Sequence, residues 1–85
     1  MPQLWLVDRV FDDKGMVQLT YATTDGERTF RREFAETRLY RQGTDVTAAV
    51  EAEASDLQAT APDDVEAYAA EASRMAAEHD PDDPV

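Results

Sequence analysis

At 85 residues the chain has room for one domain. Its formal net charge of −11 at pH 7 disfavours a phosphate backbone or an anionic membrane as main partner, because both repel it. Cysteine is absent, which excludes disulfide staples and thiolate metal sites and fits a reducing cytosol. The longest run of large apolar residues, Leu4 to Val7, is far short of the roughly 20 that span a bilayer, so a soluble, cytoplasmic protein is the expectation.

Residues 3–11 (Gln-Leu-Trp-Leu-Val-Asp-Arg-Val-Phe) are rich in branched and aromatic side chains and predict a first strand. Asp12-Asp13-Lys14-Gly15 reads as a turn. Residues 16–23 then alternate, with Val17, Leu19 and Tyr21 on one side and Gln18 and Thr20 on the other, which predicts a second strand. Asp25-Gly26 is a hairpin signal, and a third strand follows over about 27–34, where Phe30 and Phe34 share a face. Residues 35–43 fit either a helical turn or more strand. Beyond Gly43, Thr44 or Asp45 is placed to cap a helix over about 46–59, with Val46, Ala49, Val50 and Leu57 along one stripe. Thr60-Ala61-Pro62 breaks the chain. A second helix is predicted over about 62–79, with Asp63, Asp64 and Glu66 favourable in its first turn and Val65, Tyr68, Ala69, Ala72, Met75 and Ala76 at helical period. Asp80-Pro81-Asp82-Asp83-Pro84-Val85 reads as a flexible acidic tail. The expected fold is a single α+β domain over 1–79: a three-stranded antiparallel meander, then a two-helix hairpin packed on one face (β-β-β-α-α).

Charge follows the same division. Residues 1–43 carry seven acids and seven bases, whereas residues 44–85 carry twelve acids against Arg74 alone. The bases are seven arginines and the single Lys14. Acid excess, scarce lysine and abundant Ala, Thr and Asp resemble the composition of proteins from extreme halophiles. The Debye length falls from about 8 Å at physiological ionic strength to about 3 Å at 1 M, so repulsion among these carboxylates is damped in concentrated salt.

Two stretches stand out as candidate contact surfaces. The first strand is apolar on both sides: ideal alternation sets Trp5, Val7 and Phe11 against Leu4, Leu6 and Val10. With only two thinly apolar helices to cover the sheet, Leu4, Trp5, Leu6 and Val7 are candidates for a homodimer interface, Trp5 being the type of residue that anchors one. The alternative is that Trp5 closes the monomer core beneath residues 35–43. The second stretch is basic, residues 28–41 summing to +3. Arg28, Arg31, Arg32, Arg38, Tyr40 and Arg41, interleaved with Phe30 and Phe34, could hold phosphates and stack bases. They could equally pair with carboxylates of the protein itself or a neighbour, which suits arginine's planar fork.

Catalytic constellations are not evident. His79 is the only histidine, and the acids around it lack the glycine and spaced glutamate of a calcium loop. Asp12-Asp13 lies in a turn and Asp63-Asp64 in a helix first turn, each with a sufficient structural reason. Ser55 and Ser73 are not on a nucleophile elbow, and the three glycines are dispersed rather than gathered into a phosphate loop. The sequence therefore predicts no enzyme, metal, cofactor or specific small molecule. It predicts a small cytoplasmic interaction or accessory protein, adapted to high salt and self-associating. The runner-up is a nucleic-acid-associated regulatory module using the 28–41 strip.

Overall fold

The structure, a computed structural model, describes residues 2–35 and 46–85. Strand β1 spans Gln3–Phe11, β2 Met16–Ala22 and β3 Arg28–Ala35. They pair as consecutive antiparallel neighbours. Both turns are built from short polar side chains and a glycine. Asp12 Oδ1 accepts the N–H groups of Lys14 (2.8 Å) and Met16 (3.1 Å), with Gly15 at φ 80°. In the second turn Asp25 Oδ1 accepts the Thr23 hydroxyl (2.5 Å) and the Glu27 N–H (2.9 Å), with Gly26 at φ 74°. The Thr23 hydroxyl, and next the Glu27 N–H, hold the Asp25 carboxyl below its ordinary value.

The expected two-helix hairpin is overturned. Residues 46–59 do not form a helix; they supply strand β4 (Ala49–Glu51), a 3-10 turn at Ala54–Asp56, and strand β5 (Gln58–Ala59). β4 lies along β1 (Gln3↔Glu51, Leu4↔Val50, Trp5↔Ala49) and β5 along β3 (Arg28↔Ala59, Thr29↔Gln58). The result is a five-stranded antiparallel sheet in the order β4-β1-β2-β3-β5. The physical reason is that a meander leaves two edges of unpaired backbone groups. A helix of this length is marginal in water and must be held by packing. Val46, Thr47 and Val50 are β-branched and suit an edge strand.

Among the described residues there is one α-helix, α1 (Val65–Glu78), against the predicted 62–79; Pro62–Asp64 form a turn before it. Its buried side chains are Ala72 and Met75, and it packs mainly on β1. At its N-terminal end it rests on the β2–β3 turn. A Cβ at Gly26 would lie 2.2 Å from Val65 O and 2.7 Å from Ala69 N, so the turn and the helix touch backbone to backbone. The Ser73 hydroxyl ties the same junction by donating to Thr24 O (3.2 Å). The segment expected as a flexible tail is hydrogen-bonded to the β4 region: Ala48 N–H donates to Asp83 O (2.8 Å), Ala49 N–H to Pro81 O (3.1 Å) and Val85 N–H to Val46 O (2.8 Å).

A β-bulge at Val7 organises the two faces. Register jumps from Leu6↔Tyr21 to Asp8↔Thr20, so alternation reverses phase at that residue. Directly opposed residues share a face. One face therefore carries Trp5, Asp8 and Val10 with Ala22, Thr20 and Gln18, then Thr29, Arg31 and Glu33. The other carries Leu4, Leu6, Arg9 and Phe11 with Tyr21, Leu19 and Val17, then Phe30, Arg32 and Phe34. α1 lies on the first, where the Tyr68 phenol feels Asp8 and Arg31. Leu4, Val17, Leu19 and Tyr21 on the second face are the largest fully buried side chains.

Burial pushes the Tyr21 phenol above its usual value, opposed by the Arg32 and Arg9 guanidiniums nearby. A folded-state pKa above the unfolded one means the stabilisation is complete below about pH 10 and is lost as pH rises through the folded value. Ultraviolet titration should show Tyr21 ionising after a free phenol, together with unfolding. A Tyr21 that ionises at the free-phenol pH in a folded protein would contradict the burial.

Candidate functional site

The residues expected to form a dimer interface are mostly spent within one chain. Leu4, Trp5 and Leu6 are buried and belong to the core with Val17, Leu19, Tyr21, Ala49, Ala72 and Met75, while Val7, the bulged residue, packs against it half-buried. The alternating template assigned Val10 to the Leu4–Leu6 side and Phe11 to the Trp5 side; the bulge exchanges them. Both end up beyond the cover of α1.

What stays exposed is the turn end of the β1–β2 hairpin. Phe11 is 54% exposed, Val10 45% and Met16 37%. Val10 and Met16 flank a small depression of about 110 Å³ completed by Asp12, Gln18 and Glu33, where the Gln18 amide donates to Glu33 Oε1 (3.3 Å). Sequence reasoning did not single these residues out, because an alternating strand template hides a phase change. Asp8-Arg9, two charges in a row within an apolar strand, was the only signal of it.

The basic strip does not survive as one surface on β3. Arg28, Arg31 and Arg32 are exposed, but Arg31 projects on the α1 face and Arg28 and Arg32 on the other. Phe30 and Phe34 are half-buried against the core, and the Tyr21 and Phe30 rings meet tilted at 6.4 Å. Arg38, Tyr40 and Arg41 lie outside the described residues. The outer side of β3 has a further property. β5 pairs only with Arg28 and Thr29, so among the described residues no strand lies along the outer side of β3 from Phe30 onward, the side away from β2.

A second groove, about 270 Å³, runs between the β1 bulge and the end of α1, lined by Leu6, Val7, Asp8, Arg9, Glu71, Arg74, Met75 and Val85. Arg74 forks between Glu71 and Glu78, 2.5 Å from the latter, and its guanidinium holds the Glu71 carboxyl low. Arg9 Nη2 donates to Val85 O (2.9 Å). The charges of Glu71, Arg74 and Arg9 are thus already engaged. His79 Nδ1 stands 3.7 Å from Asp83 Oδ2, an oxygen that accepts the Asp80 N–H and closes the turn there. Among the described residues no three His, Cys, Asp or Glu side chains are grouped to hold a metal ion, and no helix is long and apolar enough to cross a membrane.

These features define a class: a small, compact domain in which one acidic helix lies on a five-stranded antiparallel sheet, with its distinctive residues on open surfaces. The chain belongs to a family of unknown function, DUF7967, whose match covers residues 1–85. No curated protein and no solved structure matches it.

Proposed function

We propose that this chain is a small non-catalytic interaction protein of the cytoplasm, adapted to high salt, that self-associates through the turn end of its β1–β2 hairpin. The observation that supports this is the exposure, around that turn, of Phe11 on one face of the sheet and of Val10 and Met16 on the other. Aromatic and Met side chains of this kind are enriched in interface cores. Leu4–Val7, the surface first expected to serve, supports no such role once it is core. Two copies each bearing −11 repel in dilute salt, so association belongs to molar KCl, where screening is short-ranged. The nucleic-acid reading gains nothing from β3, whose Arg31 and Arg32 face opposite ways.

Light scattering tests the proposal. Twice the 9.5 kDa chain mass is expected in molar KCl, and a single chain mass for Phe11→Glu in the same buffer. A wild-type protein that stays at one chain mass throughout would remove self-association. The melting temperature should rise with KCl from tens of millimolar to molar in both proteins, since twelve acids crowd residues 44–85. A flat or falling curve would remove the salt adaptation.

A further inference from the structure

We infer that the outer edge of β3 is a docking site for an extended acidic segment of another protein, added as a sixth strand. This site stands apart from the Phe11 surface and does not depend on self-association there.

The backbone comes first. Thr23 N–H donates to Arg28 O across the β2–β3 turn, and Thr60 N–H donates to Glu27 O on the other side. Antiparallel ladders alternate, so Arg28, Phe30, Arg32 and Phe34 turn their N–H and C=O groups toward β2. Glu27, Thr29, Arg31, Glu33 and Ala35 turn theirs outward. On that side Glu27 O accepts the Thr60 N–H and Thr29 stands opposite Gln58 of β5. The outward groups of Arg31, Glu33 and Ala35 are an open ladder among the described residues, and such ladders accept added strands.

Side chains then say what kind of strand. Arg28 and Arg32 reach along one face of the edge and Arg31 along the other. Glu33, the one acid of β3, is engaged by the Gln18 amide. A strand laid here is flanked by arginines above and below, in a protein that is otherwise strongly acidic. Opposed unlike charges stabilise cross-strand pairs and like charges destabilise them. Phe30 and Phe34 are only half-buried, so positions opposite them on the Arg32 face favour apolar side chains. The strand that fits, antiparallel, reads apolar, polar, acidic, acidic, apolar opposite Phe34 to Phe30.

A second copy of β3 does not fit. The symmetric register that sets Arg31 against Glu33 also sets Ala35 opposite Thr29 of the other copy, the place its own Gln58 holds. Moving the symmetry centre by one residue sets Arg31 against Arg31 or Glu33 against Glu33. A nucleic acid offers phosphates for the arginines but no alternating amide donors and acceptors for the open ladder.

The test uses the full chain in molar KCl and a fluorescent peptide with the core Val-Thr-Glu-Glu-Val. Saturable anisotropy is expected, with the amides of Arg31 and Glu33 gaining protection from hydrogen exchange. Arg31→Glu with Arg32→Glu should weaken binding by about tenfold or more, and the matching Val-Thr-Lys-Lys-Val peptide should recover it. A peptide N-methylated at the ladder positions should lose binding while the protein is untouched, so no folding defect can mimic the result. Absence of saturable binding, unchanged binding by the N-methylated peptide, or protection elsewhere on the molecule would each overturn the proposal. So would tighter binding of an oligonucleotide that is abolished by the same arginine reversals. The mass of the Arg31→Glu protein by light scattering should equal the wild type's; a change would assign the edge to a second copy instead.

Discussion

Gly26→Ala is expected to destabilise the protein by about 2–6 kcal/mol. A left-handed backbone costs a non-glycine residue about 1–3 kcal/mol, and overpacking a close contact costs a further 1–3 or so. Both apply at Gly26, which stands at φ 74° with Val65 O 2.2 Å from where the methyl would go. The obstruction is helix backbone, which cannot swing aside as a side-chain tip would. Gly15→Ala is the control: φ is 80° there too, but nothing lies within 4 Å of the added carbon. It should show the conformational cost alone. For a domain of this size each kcal/mol moves the melting point by about 4–8 °C, so calorimetry should separate the two variants clearly. Equal losses would mean that α1 does not seat on the turn.

Leu4→Ala is expected to cost about 3–5 kcal/mol, the range for deleting a fully buried leucine with partial collapse of the cavity. Leu4 is fully buried and sits between Val50 of β4 and the core of the second face. Small domains hold only about 5–15 kcal/mol in total, so this one change removes a large part of it. The decisive reading is its dependence on protein concentration. A core residue lowers the melting point by the same amount at all concentrations, whereas an interface residue makes the melting point vary with concentration. Urea melts of Leu4→Ala and wild type over a hundredfold dilution range should stay parallel. A gap that widens with concentration would return Leu4 to an interface.

Much of the local structure is legible in the residues. The alternation of Val17, Leu19 and Tyr21, the Asp-Gly turn at 25–26 and the helical repeat from Val65 to Met75 each follow from a local cause. Residues 46–59 were not readable in this way. Their alanines have high helix propensity and their valines fit a helical stripe, yet the stretch forms two edge strands and a 3-10 turn. Propensity is a weak prior there, and the open hydrogen-bonding edges of β1 and β3 outweigh it. The candidate surfaces show the same limit. The arginines were visible as a run, but not that adjacent ones leave β3 on opposite faces beside an unpaired ladder. Phe11 was visible as apolar, but not as exposed.

The chain's own composition determined its acidity, its lack of thiol chemistry, the unequal division of charge between its halves and the turns that punctuate its first three strands. These depend on residue types and near neighbours only. Tertiary structure alone decided the five-stranded order, the pairing of residues 80–85 with the β4 region, the phase change at Val7 and therefore which apolar side chains meet water. Each of these depends on contacts between residues far apart in sequence. Leu4 is core in the company of Val17, Leu19 and Tyr21 on β2 and beside Val50 of β4, some 45 residues later.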